Sequence, residues 1–294
     1  MPRTWFVTGA NRGLGRAFTV AALAAGDIVV ATARDPHAMS DLADERLTVL
    51  PLDVRDRDRV FATVDKAFEV TGRIDVLVNN AGYGLVGALE ELTEDRIRDQ
   101  MDTNFYGVLW VSQAALPHLR AQGSGHIVQI STVGAVGSLP LFGMYNASKW
   151  AMEGFSASLA DEVRPFGIKV TLAQMGGFDT DWAKSSMKFA EGISAYSPVR
   201  EAVLGMRDYP DMSVAPSTET STEPTERVAE NEWAEPAPEV AAAGLLQLVN
   251  DPNPPLRRII GPGAHQMVAM ALEARRQDYV SDPEFTWPAG SADS

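Results

Sequence analysis

Up to about residue 175, hydrophobic positions follow two alternating rhythms. Short runs that are apolar and β-branched almost throughout occur at Trp5–Thr8, Ile28–Thr32, Leu47–Leu52, Val76–Asn79, His126–Ile130 and Lys169–Ala173. Between them apolar residues recur at helical spacing. Val60, Phe61, Val64, Ala67 and Phe68 share one face there, while Asp58, Asp65, Lys66 and Glu69 take the other. Strands apolar on both faces and separated by helices predict a parallel sheet covered on both sides. Right-handed crossovers make such a sheet doubly wound and place ligands at the carboxyl ends of its strands.

Past Met175 the rhythm changes. Asp179 to Tyr209 reads as one or two amphipathic helices carrying Trp182, Met187, Phe189, Ile193 and Tyr196. Residues 211–239 are rich in Pro, Ser, Thr and Glu, and read as a disordered or loosely packed excursion. Val240–Val249 returns as a helix, Leu256–Ile260 as a last strand, and Ala264–Arg276 as a helix before a polar tail. One α/β domain is expected: a core at 1–178, lid helices at 179–210, a flexible acidic segment at 211–239, and a C-terminal helix, strand and tail at 240–294.

Composition narrows the function. The 294 residues carry a net charge of −14. Residues 211–239 hold eight carboxylates against Arg227 alone, so half of that charge belongs to one segment. The balance argues against nucleic acid and against an anionic membrane surface. With no cysteine there is no thiolate chemistry and no sulfur-ligated metal, and His37, His118, His126 and His265 stand at no metal-ligand spacing. No run approaches the roughly 20 apolar residues of a membrane span, and the N-terminus lacks a leader pattern. A soluble, cytoplasmic protein without a metal is expected.

The turn Thr8-Gly9-Ala10-Asn11-Arg12-Gly13-Leu14-Gly15 lies between the first strand and a helix. Glycines there permit a tight turn and close backbone approach, and free helix amides stabilise a pyrophosphate. A carboxylate ending the second strand would accept from a ribose 2′-hydroxyl and repel a 2′-phosphate. Here Ala33 takes that place and Arg34 follows, with Arg12 a second cation. The pair favours NADP(H) over NAD(H), with Asp35 counting against it. Asp53, followed by Val54, ends the third strand where it can meet an adenine ring, or cap the next helix.

Tyr145 and Lys149 share a face at i and i+4 of a predicted helix. Asn79-Asn80-Ala81-Gly82 ends the fourth strand, Asn104 lies in the following helix, and Ser131-Thr132 ends the fifth strand. With the glycine turn, this set resembles the short-chain dehydrogenase/reductase family, and within it the group related to 17β-hydroxysteroid dehydrogenases. The matching motifs span roughly residues 3 to 183. The resemblance implies a Rossmann-type fold, and a hydride exchanged between nicotinamide and a ketone or secondary alcohol. Tyr145 would be the general acid–base, Lys149 would stabilise its phenolate and hold the nicotinamide ribose, and Asn104 would position a relaying water. Gly9, Asn11, Arg12, Gly13, Leu14, Gly15, Arg34, Asp53, Val54, Asn80, Ala81, Gly82, Gly176 and Thr180 would join Tyr145 and Lys149 in contacting the cofactor.

Two positions depart from the family pattern. The polarising serine usually lies thirteen residues before the tyrosine, where this chain has Thr132. Strand neighbours face opposite ways, so either Thr132 or, if the strand has already ended, Ser131 supplies the hydroxyl. After the sixth strand Met175 replaces a proline before Gly176, which predicts a looser loop towards Thr180. Candidate pocket walls are Tyr83, Leu85 and Val86, Val133 to Met144, and Phe178 to Tyr196, suiting a hydrophobic substrate. Helices at 93–121 and 144–165 resemble the pair that joins family members into a homodimer or homotetramer. The alternatives are a catalytically idle cofactor-sensing relative, and a non-redox lyase or epimerase using the same Tyr and Lys.

Overall fold

The computed structural model describes residues 2–179, 187–210, 236–286 and 288. Its strands are β1 (Thr4–Thr8), β2 (Ile28–Ala33), β3 (Leu47–Pro51), β4 (Val76–Asn79), β5 (Gly84–Val86), β6 (Gly125–Thr132), β7 (Ile168–Met175), β8 (Met187–Phe189) and β9 (Arg257–Ile260). Seven of them form one parallel sheet in the order β3-β2-β1-β4-β6-β7-β9, which is the doubly wound architecture expected. The chain steps outward from β1 to β3, then returns to place β4 on the other side of β1. That reversal opens a crevice at the carboxyl ends of β1 and β4.

The helices are α1 (Gly13–Ala24), α2 (Arg57–Thr71), α3 (Glu94–Met101), α4 (Gly107–Gln122), α5 (Gly143–Val163), α6 (Ser197–Leu204), α7 (Pro238–Asn250) and α8 (Ala264–Val280). Alternation along β1 assigns them to layers. Trp5 and Val7 pack with Phe18 of α1 and Leu245 of α7, while Phe6 between them packs with Val60 of α2, Val111 of α4 and Leu159 of α5. Among the described residues no helix is long and apolar enough to cross a membrane.

Two expectations need correction. The helix expected at 93–121 is interrupted: one π-helical turn, Asp102–Tyr106, joins α3 to α4 and carries Asn104. The lid is not wholly helical either. Met187–Phe189 pairs in parallel with Gly84–Val86, and among the described residues of this segment only Ser197–Leu204 forms an α-helix. The Met-Lys-Phe alternation explains this, because Met187 and Phe189 pack with Val86 and Phe142 while Lys188 stays outside that cluster. Arg200 of α6 anchors the segment through a buried ion pair with Glu91, which also accepts from Tyr209 Oη at 2.7 Å and Ile193 N at 2.8 Å. Thr180 and residues 211–235 of the acidic segment lie outside the described residues.

Candidate active site

β1 delivers the chain into the glycine turn. Gly9 and Gly13 adopt φ of +64° and +52°, left-handed values that a side chain disfavours. Arg12 is the N-cap of α1 but places no side-chain bond on the first helical amides, which remain suited to an anion. Gly15 sits beneath the turn, where a Cβ would overlap the Gly9 carbonyl oxygen and lie 2.5 Å from Asn80 Nδ2. Thr8 locks the arrangement: its Oγ1 accepts from the amides of Asn80 and Ala81, both at 3.0 Å. Asn80 Nδ2 in turn donates to the carbonyls of Thr8 at 3.0 Å and Gly9 at 3.1 Å. The Asn80 side chain thus serves the turn itself.

Above the turn lies a cavity of about 690 Å³. Gly9, Asn11, Arg12, Gly13 and Leu14 line it at one end, followed by Arg34, Asp53 and Val54, then Asn80, Ala81 and Gly82. Ser131, Thr132, Tyr145, Lys149 and Gly176 line it as well. Its size, its open helix amides and the glycines where a Cβ would intrude fit a bound dinucleotide. Asp35 also lines the cavity, with its carboxylate capping the 3-10 turn Pro36–Met39 by accepting from His37 N at 2.9 Å. Asp53 is tied to Arg55, whose hydrogen bonds hold its carboxyl below the usual range, and the charge of Arg34 adds to that effect.

The reacting end is built where α5 overhangs the last residues of β6. Tyr145 stands in the first turn of the helix and Lys149 one turn later. Thr132 and Tyr145 line the cavity together, near enough for the Thr132 hydroxyl to lower the phenol's pKa, and Thr132 Oγ1 accepts from Gly134 N at 3.1 Å. Ser131 faces the other way, buried, donating to Glu153 Oε1 at 2.7 Å. The geometry therefore brings Thr132, and not the Ser131 hydroxyl, to Tyr145. Burial pushes the Tyr145 phenol up to about 12 despite the Thr132 hydroxyl, and pulls the Lys149 amine down to about 8 against the charge of Glu153. Lys149 Nζ donates to the Ile130 carbonyl at 2.7 Å.

Asn104 is buried in the π turn, a distortion common at functional sites. Its Oδ1 accepts from Tyr83 N at 3.0 Å, and its Nδ2 donates to Tyr83 O at 2.9 Å and Ser148 Oγ at 3.2 Å. A Cβ on Gly82 would stand 3.1 Å from Asn104 Oδ1 and 3.7 Å from Lys149 Nζ, so this glycine keeps the gap between them open. Met175 does not loosen the following loop at its root. It is the last residue of β7, paired with Thr132 and Ile260, and Gly176 N donates to Ile260 O at 2.9 Å. With Met in place of Pro, the ladder itself holds this position.

Of the expected walls, Tyr83, Val133 and Phe178 line the cavity, whereas Leu85 and Val86 are buried in β5 beneath it. Lys188, within the expected wall Phe178 to Tyr196, lines it too, whereas Arg55, Asp99 and Thr103 were not anticipated in the lining. Asp99 belongs to the polar face of α3, which looks like any solvated face until Lys188 of β8 meets it.

Residues 3–191 match the short chain dehydrogenase family. An oxidoreductase, BOA17, of Botryotinia fuckeliana is 39% identical over 277 residues, 93% of this chain and 94% of its own. A 3-ketodihydrosphingosine reductase of Bacteroides thetaiotaomicron is 36% identical over 281 residues, 96% and 94% of the two chains. Human 17-beta-hydroxysteroid dehydrogenase type 1 is 40% identical over a shorter stretch, 50% of this chain and 44% of its own. The crystal structure of a short-chain dehydrogenase from Streptomyces avermitilis superposes with a TM-score of 0.80 at 35% identity, covering 95% of each chain. A glycine turn at the sheet's reversal point, a Tyr and Lys on one helix face, and likeness along nearly the whole chain agree: this chain belongs to the short-chain dehydrogenase family of oxidoreductases.

Proposed function

We propose that the protein transfers hydride between NADP(H) and an apolar ketone or secondary alcohol, with Thr132, Tyr145 and Lys149 as the catalytic residues. The observation that carries this reading is the Thr132–Tyr145 hydroxyl pair facing the dinucleotide-sized cavity, with the Lys149 amine one helical turn behind. The cofactor, when bound, supplies or accepts the hydride. The chain's own residues handle the proton. In reduction Tyr145 Oη gives its proton to the carbonyl oxygen while the Thr132 hydroxyl donates to the same oxygen. A phenol that burial holds neutral near pH 7 is loaded for that step. Lys149 stabilises the resulting phenolate. Asn104, through the gap beside Gly82, positions the water that returns a proton to Lys149.

Preference for NADP(H) rests on Arg34 and Arg12 lining the cavity beside Ala33, while the Asp35 carboxylate is turned to the His37 amide. Substrate polarity rests on Val133, Met175 and Phe178 along the cavity near Tyr145, and on relatives named for a ketosphingoid and a steroid. The test is a panel of apolar ketones and secondary alcohols with NADPH and NADH, run beside Tyr145→Phe. That variant is expected to lose about a hundredfold or more of kcat. Undiminished hydride transfer in it sinks the Tyr145 mechanism, whereas no hydride transfer from the parent with any compound of the panel favours the idle or non-redox alternatives.

A further inference from the structure

Glu153 is a buried carboxylate outside the reacting group, with its side chain 7% exposed. Three strands occupy its oxygens. Ser131 Oγ of β6 donates to Oε1 at 2.7 Å, Gln174 Nε2 of β7 to the same oxygen at 2.8 Å, and Arg257 Nε of β9 to Oε2 at 2.9 Å. On α5 it stands four residues beyond Lys149 and eight beyond Tyr145, so the three side chains leave the helix along one stripe. Their neighbours are three successive residues of β6. Lys149 grips the Ile130 carbonyl and Glu153 the Ser131 hydroxyl, while Tyr145 lines the cavity with Thr132.

We propose that Glu153 is a positioning residue for the reaction: it ties the end of β6 to α5 and so holds Thr132 in register with Tyr145 and Lys149. The proposal rests on the catalytic reading above. Physical chemistry explains why a carboxylate stands there. A hydrophobic residue of similar volume would pack against the sheet at no desolvation cost. It would leave the buried Ser131 and Gln174 donors unsatisfied and the Lys149 ammonium without a nearby counter-charge. The groups around Lys149 bear this out. Tyr145 and Glu153 face it from its own helix, β6 and β7 bring the uncharged Ile130 carbonyl, Ser131 and Gln174, and the π turn brings Asn104. Arg257 of β9 is the cation beyond Glu153.

The test compares Glu153→Gln, Arg257→Ala and Tyr145→Phe with the parent in the full chain. The first readout is the titration midpoint of Lys149, followed by NMR on protein carrying isotope-labelled lysine, without cofactor. The second is the pH profile of kcat in the reductive direction, with KM for the cofactor. Glu153→Gln is expected to lower the Lys149 midpoint, because the counter-charge is gone, and to move the alkaline limb of kcat to lower pH with it. It should cut kcat about tenfold or more, since small displacements at reacting groups are costly, with cofactor KM within about twofold. Arg257→Ala is expected to move the midpoint the opposite way, because Glu153 is then less neutralised. Should Glu153→Gln fail to fold, the sign of the Arg257→Ala shift decides. Unmoved Lys149 midpoints, or Glu153→Gln with the parent's kcat and pH profile, overturn the proposal. Full activity in Tyr145→Phe overturns the catalytic reading instead, and the Lys149 titration separates the two failures.

Discussion

Lys188 of β8 reaches across to Asp99 of α3, with its Nζ 2.8 Å from Oδ2 and 4.3 Å above the ring of Tyr83. Asp99 also accepts from the Tyr83 hydroxyl at 2.8 Å and from Arg55, the residue that holds Asp53. Burial alone would raise the Asp99 carboxyl, but these donors outweigh it and bring it to about 2. One carboxylate thus joins β8 to the loop that follows β3. Asp99→Asn removes the charge that organises both cations. Because the node is partly open to solvent, the expected loss is about 1 kcal/mol, roughly a fivefold rise in the Kd for NADPH, with kcat little changed. Fluorescence titration of the cofactor checks it.

Arg34 is exposed at the cavity edge next to Ala33, and the neighbouring Asp35 is committed to its turn. Arg34→Ala is expected to weaken NADPH by about tenfold or more while changing NADH by about twofold at most, since only the former carries a 2′-phosphate. Equal losses for both cofactors would remove the basis for NADP preference.

Thr132 and Ser131 differ by one position and face different neighbours. Thr132→Ala should lower kcat about a hundredfold, the scale of losing one donor to a developing oxyanion, and Thr132→Ser should keep most of the activity. Ser131→Ala should cost about 1 kcal/mol of stability, through the lost bond to Glu153, and less than about tenfold in kcat. Steady-state kinetics with chemical denaturation separates the two hydroxyls. A larger kcat loss at Ser131 than at Thr132 would reverse the assignment.

His126 is buried on β6, its Nε2 3.0 Å from Thr171 Oγ1. Burial, with Lys169 adding to it, pulls its pKa from 6.5 down to about 4. The unfolded chain therefore takes up this proton more readily than the folded one. Its contribution to stability is fully present above about pH 6.5 and is lost as pH falls towards 4, a span worth about 3 kcal/mol. Melting temperature should drop across that window, and His126→Gln should flatten the drop. An equally steep drop in the variant would assign acid sensitivity to other groups.

How much of this was readable beforehand depended on range along the chain. The inner strands of the main sheet were legible because each is a short, mostly apolar run buried on both faces, and the edge strands β3 and β9 because apolar residues still recur in them. The glycine turn was legible because its chemistry lies within eight consecutive residues. The Tyr145–Lys149 pair was legible because four residues make one turn of helix. Strand β8 was not, since three residues carry too little periodicity to reveal themselves before β5 offers an edge.

The sequence by itself determined the order of the main-sheet strands and their helices along the chain, the glycine turn that leaves helix amides open, and which side chains share a helix face. All of these follow from local spacing and local backbone preference. Only the tertiary structure placed Ser131 on Glu153 and Thr132 beside Tyr145 in the cavity, because that depends on where α5 crosses the end of β6. It alone set the Asp35 carboxylate on the His37 amide, placed Lys188 on Asp99, and gathered Ser131, Gln174 and Arg257 around Glu153. Those contacts join residues as far as 104 positions apart, and no local propensity encodes which of many polar residues will be buried together.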